Sequence, residues 1–209
     1  MIKSKAATPF ILLIIFASSL FLFYPSLNYF FFQDDWFVLN WVRTENLLSF
    51  LEFRTDIIYW RPLSMPIFFL LGEKLFGLRP FGYHLIVFII HLVNTFLIGR
   101  IIFLLFKNRL SVFTIALLYA TASFHYMSLS WLSLAWNVIG NLFILLAIYF
   151  YIFGERKPKV YFPLSFIFFL LALASTEFAL IFPVLIIFVE LFRNNFDLLK
   201  ALKIGRILI

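Results

Sequence analysis

The sequence predicts an all-α protein, a polytopic transmembrane helical bundle of about six spans with interfacial helices in its first outer loop. Three observations predict it. Hydrophobic residues make up 64% of the 209 residues and charged ones only 13%, with a mean hydropathy of +1.04, so too little polar surface remains to coat a soluble globule. The apolar residues fall into long runs, six of which could span a bilayer. The basic residues then gather on one side of those runs.

The six runs are 8–27, 81–106, 110–130, 133–153, 160–176 and 178–192, the last two at the short end of the usual range. Each is expected to be helical, because a backbone in lipid must satisfy its own hydrogen bonds. The apolar piece 65–71 meets Gly72-Glu73-Lys74 after seven residues. It is too short to cross and is expected to belong to an interfacial or re-entrant helix. Lys3 and Lys5 precede the first run as they would precede a signal peptide. That run is longer than a signal core, however, and Tyr24-Pro25-Ser26 offers no clear small-x-small cleavage site, so it reads as an anchor.

With a cytoplasmic N-terminus, the inner side receives 12 of the 17 basic residues, among them Arg100, Lys107, Arg109, Arg156, Lys157, Lys159 and Arg193. Asp34, Asp35, Glu45, Glu52, Asp56, Glu73 and Glu177 fall outside with Arg43, Arg54, Arg61, Lys74 and Arg79. This positive-inside pattern accounts for the net charge of +7 without nucleic acid and places both termini in the cytoplasm. Cysteine is absent, which removes disulfides, thiolate catalysis and cysteine metal sites.

Residues 28–64 form a first outer loop of 37 residues that begins with "NYFFFQDDWFVLNW". Connections beyond about 12 to 15 residues are usually functional or disordered, and the wealth of Trp, Phe and Leu argues against disorder. Leu47, Leu48 and Leu51 predict an amphipathic helix on the membrane surface. Asp34 and Asp35 are adjacent carboxylates in an aromatic, partly dehydrated setting. Mutual repulsion should raise the pKa of at least one and suit it to general-base work, or both stay ionised around a divalent metal or a basic partner. The plainer alternative is an acidic helix start.

Arg61, in "YWRPL", could hold a phosphate at the membrane surface, or serve as a snorkelling anchor. His84, His91 and Asn94 share one face of the second span, the usual arrangement of polar groups that join membrane helices. The two His lie about 10 Å apart along the axis, too far for one metal ion. His125 and Glu177 fall near the same outer depth. Asp34, Asp35, Arg61, His84, His125 and Glu177 are therefore the candidate site residues.

The order of these pieces resembles the N-terminal part of the GT-C glycosyltransferases, closest to the protein O-mannosyltransferase branch and to transferases that use polyprenyl-phosphate sugars. The resemblance is carried by the early acidic pair, by "YWRPLSMPIFFLLGEKLFGLRPFGYHLIVFIIHLVNTFL" with one inserted Trp60, by "ALLYATASFHYMSLSWLS" and by "LALASTEFALIFP". It implies a membrane transferase that moves a sugar from a lipid-linked donor to an acceptor protein or glycan on the outer side, in a bacterial or archaeal plasma membrane. Asp34 would be the base, Asp35 its partner or a ligand of a divalent metal, and Arg61 with His84 would meet the phosphate, the lipid tail lying against the aromatic-rich spans. Two positions depart from the pattern: Thr176-Glu177 stands where the family often has Lys-Glu, and Ala135 where it often has Arg. The family core also has about seven spans or more. Residues 1–209 are therefore expected to be one transmembrane domain, the front portion of a larger module, weakly active or inactive alone. The alternative is a non-catalytic or truncated scaffold derived from such an enzyme and completed by a second chain.

Overall fold

The computed structural model describes residues 7–53, 59–154 and 156–197. Among them the chain is helical, with no strand. α1 (Ala7–Phe23) runs into a 3-10 turn, Tyr24–Asn28, with Pro25 in its first turn. α2 (Asp34–Thr44) begins at the acidic pair, and a second 3-10 turn covers Ser49–Leu51. A π-helical turn, Leu63–Ile67, leads into α3 (Phe68–Phe76). α4 (Pro80–Phe106), α5 (Arg109–Thr121) and α6 (His125–Ser130) follow. After a 3-10 turn at Leu132–Leu134 come α7 (Trp136–Phe153), α8 (Pro158–Leu173), a turn at Glu177–Ile181 and α9 (Phe182–Arg193).

Three helical stretches are long and apolar enough to cross a membrane: Phe10–Asn28, Pro80–Phe106 and Leu132–Phe153, of 19, 27 and 22 residues. They give the chain the build of a membrane protein. Arg109–Thr121 and Pro158–Leu173 are apolar but shorter. At 1.5 Å per residue, the 13 residues of α5 reach only about 20 Å, against a hydrocarbon core of about 30 Å.

Two of the expected runs are not single helices. The run 110–130 breaks at Ala122, whose backbone is extended, and resumes at His125. Tight-turn bonds from Ala122 N to Tyr119 O and from His125 N to Ala122 O keep the break satisfied, and it lets His125 turn inward. The run 178–192 starts as a 3-10 turn because Pro183, in the first turn of α9, supplies no N–H to extend a helix backwards. Hydropathy carries run length but not such interruptions.

The outer loop also departs from expectation. Its helix is α2, not a segment around Leu47, Leu48 and Leu51, which form only a turn and the end of a 3-10 turn and are all exposed. Asn46 explains the change: its side chain accepts from Leu48 N and Ser49 N, an Asx turn that competes with helix formation.

α4 is the spine. It packs against α3, α5 and α7, and α7 packs along α8. One core gathers Phe31, Val38 and Leu39 of the loop, Phe69, Tyr83 and Val87, and Leu132 and Val138. A second, at the other end, joins Ile101, Ile148, Tyr151 and Val189. Gly77, at φ +58°, makes the turn from α3 to α4, where its carbonyl accepts from Tyr83 Oη at 2.9 Å. Gly140 is required for another reason: a Cβ there would overlap the Thr176 methyl, so the glycine lets α7 pass directly beneath the turn before Glu177.

Gly140→Ala should therefore destabilise the protein by about 1–3 kcal/mol through overpacking. Thr176→Ser removes the methyl but keeps the capping hydroxyl, and should recover most of that loss. Thermal midpoints of the two single variants and the double variant in detergent measure the coupling.

Candidate functional site

The acidic pair opens α2, and its two members occupy different environments. Asp35 is 1% exposed. Its Oδ2 accepts from Phe32 N at 2.9 Å, closing the first turn of α2, and its Oδ1 accepts from both Ser133 N and Ser133 Oγ at 2.7 Å. One carboxylate thus fastens the start of α2 to the segment between α6 and α7, 98 residues away. Burial pushes the Asp35 pKa up, and the hydrogen bonds from Ser133 and Phe32, with the nearby His84, only partly pull it back. Asp34 is exposed and has no side-chain hydrogen bond among the described residues. It follows Gln33, a non-glycine residue at φ +43°, a conformation that costs on the order of 1–3 kcal/mol and survives only where its surroundings hold it. Asp35 and the aromatic contacts of Phe31 with Trp36 and Tyr83 supply that hold.

Arg61 is not presented as an open cation. Its Nε donates to Glu177 Oε2 at 2.8 Å and its Nη2 to Glu177 Oε1 at 3.0 Å, a bidentate fork. The guanidinium also lies 3.8 Å from the Trp136 ring centroid and 4.4 Å from that of Tyr59. Partial burial acts to raise the Glu177 pKa, but the Arg61 bonds and charge outweigh it and hold the carboxyl below its usual range. Around this pair, Leu63 N donates to Ala174 O at 3.0 Å and Ser64 Oγ to Ser175 O at 2.6 Å. These contacts pin the π-helical turn to the loop between α8 and α9. Trp60 donates from Nε1 to Leu51 O and stacks on Phe53, clasping the two sides of the loop.

His84 and His125 separate. His84, buried in the first turns of α4, donates from Nδ1 to Leu129 O at 2.8 Å, close to Asp35. His125 instead joins a second cluster with His91 and Tyr119, its ring centroid 4.4 Å from that of His91 and 4.5 Å from that of Tyr119. His91 Nε2 donates to Ala120 O and Asn94 Nδ2 to Val138 O. His91 and Asn94 thus do join helices, as their shared face predicts.

The residues 129–136 are the common element. Leu129 O meets His84, Ser133 meets Asp35, and Trp136 meets Arg61 and, through ring contact, Phe178. Asp35 and His84 lie at one part of this segment and Arg61 with Glu177 at another, while His125 belongs elsewhere. Ser133 and Trp136 are site residues that sequence reasoning passes over. Only their place in the "SLSWLSLAW" element marks them, and nothing in the spacing connects Ser133 to Asp35. Ala135, where the resembled family often carries Arg, is fully buried. No three of His, Asp and Glu converge as metal ligands among the described residues. Three of the roughly four acceptor sites of the Asp35 carboxylate are already taken by Phe32 N, Ser133 N and Ser133 Oγ. No family model, curated protein or solved structure matches the chain.

The two perturbed carboxylates act in opposite directions on stability. Asp35, raised above the usual 3.8, favours the folded state below 3.8 and loses that contribution as pH rises through its raised value. Glu177, lowered from the usual 4.5, favours the folded state above 4.5 and loses that contribution as pH falls through its lowered value. Thermal unfolding in detergent between about pH 7 and about pH 3 checks both. The advantage of the unaltered protein over Asp35→Asn should grow as pH falls, and its advantage over Glu177→Gln should shrink.

Proposed function

We propose that the chain is the membrane-embedded part of a GT-C-type glycosyltransferase. In this reading six spans, the three long helices and three shorter ones, cross a bacterial or archaeal plasma membrane with both termini in the cytoplasm, and residues 28–64 lie outside. The enzyme moves a sugar from a polyprenyl-phosphate donor to an acceptor protein or glycan. The observation that supports this best is the division of roles in the acidic pair. Asp35 is buried and triply bonded, and holds the turn that presents its neighbour. Asp34 is exposed and has no side-chain hydrogen bond among the described residues. A carboxylate free to accept a proton and fixed in position is what activation of an acceptor hydroxyl requires. Exposed Phe30, Phe32, Trp36 and Phe37 surround it in the chain, the residue types that settle at a membrane interface. His84, beside Asp35, and Arg61 would face the donor phosphate, Arg61 after exchanging Glu177 for it.

A second reading is favoured by that same Arg61. Its bidentate pairing with Glu177 and its place between two rings leave it already satisfied, as expected of a non-catalytic scaffold descended from such an enzyme or completed by a second chain.

Topology is checked by single cysteines at Ser49 and Ser111, which fall on opposite sides of the six-span arrangement in this cysteine-free chain. An impermeant thiol reagent should reach them from opposite faces, and labelling of both from one face would exclude it.

Catalysis is checked in proteoliposomes supplied with short-chain polyprenyl-phosphate hexoses. Asp34→Asn should lower transfer by about 10²- to 10⁴-fold without changing insertion or the thermal midpoint. Asp35→Asn should lower both transfer and midpoint. Glu45→Gln and Glu52→Gln, exposed in the same loop, should change transfer less than about threefold. Equal behaviour of all four variants defeats the catalytic reading, and absence of transfer from every donor by the intact chain supports the scaffold.

A further inference from the structure

At the end of the bundle away from the acidic pair, α1, α4 and α5 leave a groove of about 400 Å³ between them. Its walls are apolar: Ile11 and Ile15 from α1, Phe96 and Phe103 from α4, Val112 from α5. Gly99 contributes no side chain to the wall, and α4 and α5 close behind it, Val112 Cγ1 being 3.5 Å from where a Cβ would stand. The groove has one charged margin. Arg100, near the end of α4, and Arg109, the first residue of α5, both line it and both are exposed. Arg100 has no ion-pair partner among the described residues.

From this juxtaposition we infer that the groove is a binding site for an anionic glycerophospholipid, one acyl chain lying along the apolar walls and the phosphate meeting Arg100 and Arg109. The charge pattern matches both parts of such a molecule. A slot whose walls are mostly apolar, with the Thr95 hydroxyl already bonded to His91 O, suits a hydrocarbon chain, and guanidinium groups at its mouth supply forked donors for phosphate oxygens. A small hydrated anion would find little to bind along the length of the groove, and a neutral lipid would leave the exposed Arg100 without a counter-ion. Basic pockets between helices at the cytoplasmic margin of a bundle are where anionic head groups are held. That the groove opens to the cytoplasmic leaflet rests on the topology proposed above. Occupancy by the lipid does not, so failure of the cysteine labelling and failure of lipid binding are separate results.

The test uses the full chain in phosphatidylcholine vesicles with trace spin-labelled phosphatidylglycerol or spin-labelled phosphatidylcholine, and reads the motionally restricted fraction of each. At low salt the protein should retain phosphatidylglycerol roughly tenfold over phosphatidylcholine. The double variant Arg100→Gln/Arg109→Gln should lose that preference while keeping its thermal midpoint. Lys107→Gln/Arg156→Gln, which removes the same charge from elsewhere on that end of the bundle, should keep it. Gly99→Leu, which fills the groove without touching the charges, should reduce retention of phosphatidylglycerol. Equal retention of the two lipids, or an equal loss in both charge variants, overturns the inference, the latter in favour of a diffuse basic surface. Displacement by inorganic phosphate alone would assign the site to a free anion. Displacement by a polyprenyl phosphate far below the phosphatidylglycerol concentration would assign it to the donor lipid. Either also overturns it.

Discussion

The carboxylate of Asp35 is the constraint on which this end of the molecule depends. A buried acid is tolerated only when donors replace the water it gives up, and Asp35 has three, from Phe32 and Ser133. Removing either partner would leave a buried polar group exposed to the full cost of desolvation, on the order of 1–3 kcal/mol. The arrangement of these donors has a geometric result. Phe32 N closes the first turn of α2, and Ser133 fixes that turn against the start of α7. The strained Gln33 and the exposed Asp34 lie between two fixed points, so Asp34 is positioned without a side-chain bond of its own among the described residues.

The Arg61–Glu177 pair does for the other edge of the site what Asp35 does for this one. An exposed ion pair contributes little by itself, and Glu177 is half exposed. The strength of this junction comes instead from its neighbours: the face of Trp136, the Leu63 and Ser64 bonds to residues 174 and 175, and the absence of a side chain at Gly140. Both junctions meet on residues 129–136. That segment can serve both because it is not one continuous helix. The bend from α6 through a 3-10 turn into α7 points Ser133 and Trp136 towards different partners.

Much of the architecture was legible because the bilayer is a severe filter. The runs at 8–27, 81–106 and 133–153 coincide with helices of spanning length, and the piece beginning at Met65 belongs to a short helical stretch that continues through Gly72-Glu73-Lys74 and ends at Gly77. Legibility ended where local hydrogen bonding competes with apolar periodicity, at Asn46, Ala122 and Pro183. In the site, the candidates Asp35, His84, Arg61 and Glu177 do lie along one segment. Which carboxylate is buried could not be read from two identical neighbours, because a helix turns about 100° between them and only the partner at Ser133 decides which one faces inward. His125 gathers with His91 and Tyr119 rather than with Asp35, because a similar position along the sequence runs does not imply proximity across the bundle.

α4 connects these features along a single axis. His84 lies near its start against Leu129, His91 and Asn94 about two and three turns further are bonded to Ala120 and Val138, and Arg100 stands at the far end beside the groove. Thr95 joins two of these levels, donating to His91 O at 2.9 Å while lining the groove. Two ring nitrogens in the middle level, His91 Nδ1 and His125 Nε2, are buried and have no hydrogen-bond partner among the described residues. Apolar side chains would pack this level without that cost, so its polar residues act chiefly through direction. Each donor selects one backbone carbonyl on one neighbouring helix, and a helix fixed at three heights by such bonds cannot rotate or slide to satisfy another. The rotation of α4 sets where His84 meets the acidic turn and where Phe96 and Phe103 face the groove, so the two ends of the bundle share one register.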